Sequence, residues 1–333
     1  MGQGRQERHR HGRGAAQDTA ALRSQQGKTV PRESLGADRT EVVTQEADTV
    51  GVRSAGGRVS CELCPHHCRL KEGQSGVCGG RACVEGVVRP INYPQLASLA
   101  LDPIEKKPLK RFYPGSYILS AGTFGCNLKC PFCQNHSLSM ARADELKTES
   151  YSPQALCELA LALSRRQPGN LGVAFTYNEP LISYEYLIEC ASLLREHGLK
   201  TVLVTNGTLL RPYSLKLLEQ VDALNIDLKG FSEDFYHYVK GDLKTVLQFI
   251  EDAVARCHVE VTTLVIPGLN DDEELIRKEA RYLASLSPQL PLHLSRFFPR
   301  FKLQDKEPTP PQTILRLCEV AFESLQYVYP GNI

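Results

Sequence analysis

From Tyr117 to Leu325, short apolar runs alternate with longer stretches whose apolar residues recur at helical spacing, and this alternation constrains the fold more than any other feature. Strands are expected at residues 117–120, 171–176, 199–204, 223–227, 259–265 and 292–295. Between them, Ser152 is placed to cap a helix with Pro153 at its first position, and Leu156, Leu159, Ala160 and Leu163 share one face. Leu187, Cys190, Ala191 and Leu194 mark the next helix, stopped by Gly198, and helical patterns also cover 272–286 and 313–325. Strands alternating with helices predict βα units around a parallel sheet, about six of them, fewer than the eight of a closed barrel.

The 333 residues, 42% of them hydrophobic, suffice for one barrel-sized domain and an accessory module. Lysine and arginine number 39 against 38 acidic residues, so net charge gives no reason to expect nucleic acid or a membrane surface. No apolar run approaches the ~18 residues that span a bilayer, and a reducing, cytoplasmic interior is the expected location. Residues 1–58 are rich in Arg, Gln, Gly, Ser and Thr and are expected to be a disordered tail. Arg5, Arg8, Arg10 and Arg13 give that tail the basic cast of a mitochondrial presequence, without an apolar face.

The 12 cysteines are unevenly placed. Cys126, Cys130 and Cys133 follow the first expected strand at Cys-x3-Cys-x2-Cys spacing, which one helix face could also display. Pro131 argues against that helix: it lacks an N–H, its ring clashes with the carbonyl of Asn127, and it turns Cys130 away from helical dihedrals. A loop that gathers three thiolates can wrap an iron–sulfur cluster. Upstream, within a cysteine-rich module at residues 59–100, Cys61, Cys64, Cys68 and Cys78 stand at Cys-x2-Cys-x3-Cys-x9-Cys. They can close a zinc site or hold an auxiliary iron–sulfur cluster, with His66, His67 and Cys83 as spare ligands. Cys157, Cys190, Cys257 and Cys318 read as small buried hydrophobes. Residues 102–114, with Pro103, Pro108 and Pro114, read as a connector folded over the barrel, neither strand nor helix.

Chemistry in βα barrels sits where the strands end. Asn178 and Glu179 follow the second strand, Asn206 and Gly207 the third, Asp227 and Lys229 close the fourth, Asn270 and Asp271 follow the fifth, and His293 lies in the sixth. Asn206-Gly207 could be a simple turn, Asn270-Asp271 a cap, and Asp227 with Lys229 an exposed ion pair, since residues two apart share a strand face. Glu179, just past an apolar strand, is better read as a ligand-binding carboxylate.

Cys126-x3-Cys130-x2-Cys133 with Phe132 before the last cysteine resembles the cluster loop of the radical S-adenosylmethionine (SAM) superfamily. The segments DPIEKKPL, GCNLKCPFCQN, TYNEP, LVTNG, NIDLKG, LVIPGLND, PLHLSRFFP and YVYPGN, in this order, are similar to the radical SAM enzymes of the AmmeMemoRadiSam group, relatives of the pyruvate formate-lyase activating enzymes. CELCPHHCRLKEGQSGVC fits the same group, so the resemblance runs from Cys61 to the end of the chain. It implies a partial (β/α)6 barrel over residues 101–333 and a [4Fe–4S] cluster on Cys126, Cys130 and Cys133 whose fourth iron binds SAM. It also implies a SAM site formed by Asn178, Glu179, Asn206, Asp227, Lys229 and His293. Tyr177 and Asn178 stand where activating enzymes carry paired glycines, and Val204 where they carry an aspartate. Reductive cleavage of SAM to a 5′-deoxyadenosyl radical is the implied activity, with flavodoxin or ferredoxin as reductant and a protein or peptide as the acceptor of the radical chemistry. Two alternatives stand beside it: modification of a small molecule or side chain without a glycyl radical, and a non-catalytic, cysteine-rich metal-binding scaffold.

Overall fold

The structure, a computed structural model, describes residues 51–54 and 57–333. Gly51–Ser54 (β1), Arg58–Cys61 (β2) and Arg69–Leu70 (β3) form an antiparallel sheet, and Arg81–Val84 (β4) with Val87–Pro90 (β5) form a hairpin. Of the span 1–58, expected to be a disordered tail, residues 1–50, 55 and 56 lie outside the described residues, while β1 and the first residue of β2 lie within it. Gly57, at φ +72°, reverses the chain so that β1 finds its ladder partner, a pairing that composition does not report.

Gln95–Leu96 (β6) precedes Ser98–Pro103 (β7) and, after a 3-10 turn at Ile104–Lys106, Tyr117–Gly122 (β8). The cysteine loop, a single helical turn at His136–Ser139 (α1) and Glu149–Ser150 (β9), which pairs with β6, come next. Helix and strand then alternate: Pro153–Ser164 (α2), Gly172–Phe175 (β10), Tyr184–Glu196 (α3), Lys200–Thr205 (β11), Tyr213–Leu218 (α4) and Ala223–Asp227 (β12). Glu233–Tyr238 (α5), Leu243–Val254 (α6), His258–Val265 (β13), Glu273–Leu286 (α7), Leu292–Arg296 (β14), Pro311–Phe322 (α8) and Val328–Gly331 (β15) complete the chain. Ser152, Ser232, Asp242 and Asp272 cap α2, α5, α6 and α7, each accepting a hydrogen bond from a first-turn N–H that has no helical partner. No helix among the described residues is long and apolar enough to cross a membrane.

One sheet runs in the order β15-β14-β13-β12-β11-β10-β8-β7, parallel throughout except for β7, which pairs antiparallel with β8. The six expected strands are present; β7 and β15 extend the sheet at its two edges, and its start at Ser98 places the expected 100/101 boundary inside β7. This is the mixed α/β, parallel-stranded architecture of a partial barrel.

The two faces of the sheet pack differently, as period-two alternation requires. Leu119, Val173, Phe175, Leu203, Leu224 and Ile226 join the helices in the large core. Ile118, Ala174, Val202 and Ala223, on the opposite face, form a separate cluster with Ile104, Leu109 and Phe112. The connector is thus a plug in the barrel lumen rather than a cover over it, and it includes strand and 3-10 geometry where neither was expected. Small inward residues at 174 and 223 leave room for three large side chains, each of which contributes about 1.5–3 kcal/mol on full burial. Barrel side chains satisfy the plug's backbone: Asn225 Nδ2 donates to the Pro108 carbonyl (2.9 Å), and Glu260 accepts from the N–H groups of Lys110 (3.0 Å) and Arg111 (2.8 Å).

Candidate functional site

The loop after β8 is non-helical through Cys126, Cys130 and Cys133, as Pro131 dictates. Cys130 is 6% exposed, and burial pushes its thiol up to about 12 against the opposing pull of Lys229. Burial also raises Cys126 well above the ordinary range, and the Glu179 carboxylate adds to that. Two donors address the Cys126 sulfur: the Leu128 N–H at 3.3 Å and Asn206 Nδ2 at 3.7 Å. Such bonds favour thiolate over thiol and oppose the burial that raises this cysteine.

Glu179 and Asn206 meet this loop from the ends of β10 and β11. Glu179 is 3% exposed and accepts from the Leu181 N–H (3.0 Å), Thr205 Oγ1 (2.6 Å) and the Asn206 N–H (2.8 Å). Burial nevertheless pushes its carboxyl up to about 7, and among the described residues it forms no ion pair. Asn206 in turn donates to Asn127 Oδ1 (2.9 Å) and accepts from the Thr208 N–H (2.9 Å). Asn178 works from the other side: its Oδ1 accepts from the Thr123 N–H (2.9 Å), and its Nδ2 lies 3.1–3.2 Å from Thr123 Oγ1 and the carbonyls of Phe124 and Gly125. Its carboxamide is a clip on the start of the cysteine loop.

Lys229 pairs with Asp227 across 3.0 Å, and Cys130 and Cys133 are near enough to act on it electrostatically. Burial alone would lower Lys229; Asp227 and Cys130 hold it above its ordinary value. Asn270 donates to the Lys229 carbonyl (3.1 Å) and the Leu264 carbonyl (2.9 Å), tying the loop after β12 to the end of β13, so it does more than the cap expected of it. His293 stands apart. Its Nε2 lies 2.6 Å from Glu260 Oε2, in the network that holds the plug, and its described contacts include none with the cysteine loop. A buried carboxylate near the start of β13 is thus the partner of this residue, which the family resemblance places at the SAM site. Burial would raise Glu260, but His258, His293 and two backbone N–H groups hold it at about 2.

Several participants escaped the sequence reading. Tyr177, the residue before Asn178, sits at φ +73°, and its hydroxyl donates to Asp102 Oδ2 (2.7 Å). Asp102 also pairs with Lys107 at 2.9 Å, and Lys107 lies over the Tyr177 ring at 4.7 Å. The DPIEKKPL and TYNEP segments are therefore one unit, in which the plug holds a strained tyrosine in place next to the clip. Asn127 likewise carries a polar bond at the rim that only its long-range partner reveals, and Thr205, which follows the third expected strand, bonds Glu179 there. Thr123, Lys129, Gln134 and Asn135 are polar in the same loop, so no local signal singled out Asn127.

The cysteine-rich module is fastened to the same loop and to the loop after β11. The Cys126 N–H donates to the Cys78 carbonyl (3.0 Å), the Leu210 N–H to the Leu63 carbonyl (3.0 Å), and His66 Nε2 lies 2.7 Å from the Asn127 carbonyl. Gly125, at φ +90°, makes the approach possible, because a Cβ there would lie 2.6 Å from the Cys78 carbonyl oxygen. Cys61, Cys64, Cys68 and Cys78 line one cavity. Among the described residues no three His, Cys, Asp or Glu side chains gather as ligands of a single metal ion. Cys157, Cys190 and Cys318 are buried and Cys257 partly so, in the apolar positions expected of them.

The profile of the Radical SAM superfamily matches residues 121–280. An uncharacterized protein of Methanocaldococcus jannaschii is 39% identical over 280 residues, 83% of this chain and 82% of that protein. The pyruvate formate-lyase-activating enzyme of Clostridium pasteurianum is 30% identical over 49% of this chain and 67% of that enzyme. Among solved structures, a domain of a pyruvate-formate lyase-activating enzyme from Bacteroides vulgatus aligns at 21% identity and a TM-score of 0.43, covering 48% of this chain and 99% of that domain.

Proposed function

Because the chain belongs to the radical SAM superfamily, a superfamily of enzymes, we propose that Cys126, Cys130 and Cys133 hold a [4Fe–4S] cluster that binds SAM, and that the protein abstracts hydrogen in the manner of the activating enzymes. This reading displaces the non-catalytic scaffold. The donor set suits such a cluster: three soft sulfur ligands on one non-helical loop, with two N–H donors directed at Cys126. When bound and reduced, cluster and SAM together supply a 5′-deoxyadenosyl radical; the protein supplies position and shielding.

One observation carries the reading. Glu179, buried beside Cys126 and holding three hydrogen bonds, forms no ion pair among the described residues, and the ammonium of the methionyl group is the cation that would complete it. Asn206 ties that carboxylate to Cys126 through its backbone and its side chain. Asn178 and the strained Tyr177 hold the loop against them. Lys229, paired with Asp227 and close to Cys130 and Cys133, offsets the negative charge of a thiolate-bound centre.

The plugged lumen bears on the substrate. With Ile104, Leu109 and Phe112 filling the interior, the group that loses hydrogen reaches the site from the rim, which suits a protein or peptide segment better than an engulfed small molecule. A low-potential flavodoxin or ferredoxin is the class of reductant. Anaerobic reconstitution followed by reduction in the presence of SAM is expected to yield 5′-deoxyadenosine. Its absence from protein with a full cluster refutes the proposal.

A further inference from the structure

The first cysteine group has features that the rim chemistry does not use. Cys61, Cys64, Cys68 and Cys78 line a single cavity with Arg81, Asn127 and Thr208. Gly76 leaves space beside Cys68, since a Cβ there would lie 3.4 Å from its Sγ.

Two further polar groups await acceptors at the same place. Arg81 and Thr208 are each 2% exposed and both line the cavity, yet among the described residues Arg81 Nε and Thr208 Oγ1 have no hydrogen-bond partner. The remainder of the Arg81 guanidinium is well satisfied, by Glu185 at 2.6 and 2.7 Å and by the Ile182 carbonyl at 3.0 Å. A buried donor left without an acceptor costs about 1–3 kcal/mol, so two lining one cysteine cavity point to acceptor atoms inside it.

A four-thiolate zinc ion brings no acceptors beyond the thiolates themselves. Its bonds of about 2.3 Å would also draw the sulfurs into mutual contact. No such single-ion group forms among the described residues, here or at Cys126, Cys130 and Cys133. An iron–sulfur cluster accounts for both features. Its irons and sulfides hold the thiolates apart, and its inorganic sulfides accept hydrogen bonds.

We propose that Cys61, Cys64, Cys68 and Cys78 hold a second iron–sulfur cluster, with Arg81 Nε and Thr208 Oγ1 as donors to its sulfides. The site adjoins the rim: the Cys78 carbonyl accepts from the Cys126 N–H, so one backbone hydrogen bond joins the two cysteine sets. The proposal is separate from the reading of the rim site, and its test keeps the two distinct.

The full chain carrying Cys126→Ala, Cys130→Ala and Cys133→Ala is reconstituted anaerobically with iron and sulfide. Bound iron and acid-labile sulfide are expected to persist at a ratio of roughly one to one, with the far-UV circular dichroism of the wild type. Zinc alone, or no metal in a folded triple variant, overturns the proposal. Should that variant fail to fold, the wild type is compared with Cys64→Ala/Cys68→Ala, chosen because both thiols are only partly buried. Loss of about half the iron supports the second cluster, and unchanged iron overturns it. Wild-type protein that keeps the second cluster but forms no 5′-deoxyadenosine sinks the rim reading alone.

Discussion

Replacing Asp102 with asparagine removes one charge from the lumen while keeping the shape and an acceptor for the Tyr177 hydroxyl. In the native protein the Asp102 carboxylate is 3% exposed and lies 2.9 Å from the Lys107 ammonium, itself 2% exposed, and 2.7 Å from the Tyr177 hydroxyl. Burial alone would raise the carboxyl; Lys107 and Tyr177 instead hold it at about 2, against 3.8 when free. That difference corresponds to roughly 2.5 kcal/mol of folding stability at neutral pH. Breaking a buried pair can cost about 3–5 kcal/mol when the partner stays charged. Asparagine keeps an oxygen acceptor beside the Lys107 ammonium, so the lower figure applies. Asp102→Asn is therefore expected to cost about 2.5 kcal/mol in anaerobic urea unfolding at pH 7. Adding Lys107→Met should return most of it, because no charge is then stranded.

The sign with pH follows from the lowered carboxyl. A group depressed in the folded state contributes fully above its unfolded value near 3.8 and loses that contribution as pH falls toward 2. The gap between wild type and Asp102→Asn should accordingly be constant above about pH 5 and shrink steadily below pH 4. A gap that persists unchanged near pH 2, or a double variant as unstable as the sum of the two single ones, would falsify the buried-pair account.

Three further outcomes are expected. Gly125→Ala forces a side chain at φ +90° to within 2.6 Å of the Cys78 carbonyl, so urea unfolding should show a loss above about 1 kcal/mol, accompanied by faster proteolysis of the cysteine-rich module. Glu179→Gln keeps the acceptor of Leu181 and Thr205 but removes the charge offered to an ammonium; calorimetry should show SAM affinity reduced by about tenfold or more with the iron content unchanged. Glu260→Gln strips the charge from a carboxylate held at about 2 by two histidines and the plug's backbone; stability should fall at pH 7, and the gap from wild type should narrow on acidification through pH 4 to 2.

Much of the barrel was legible without coordinates, and the reason is local. Alternation at period two and 3.6 and a serine ahead of Pro153 are readable over a few residues, and the strand positions and the cap of α2 followed from them, whereas α7 is capped by Asp272 and not by the expected Asn270-Asp271. Pro131 alone removed the helix from the cysteine loop. The short edge strand β15 was not legible, since four residues interrupted by a proline give no period, and its pairing with β14 supplies what the chain there lacks.

The sequence by itself determined the element types, the cysteine loop and the rim as the place where polar residues collect. Tertiary structure alone decided which of those residues act on one another. The apolar side chains of the connector could have covered the barrel or filled it, and the small inward positions Ala174 and Ala223 made filling possible. His293, a rim residue by sequence, pairs with Glu260, while Asn178 clips the loop and Tyr177 is held by Asp102. Hydrogen-bond partners in these groups are separated by about fifty residues or more in all but the His293 pair, and such bonds form only once the sheet has fixed the distance between its strands.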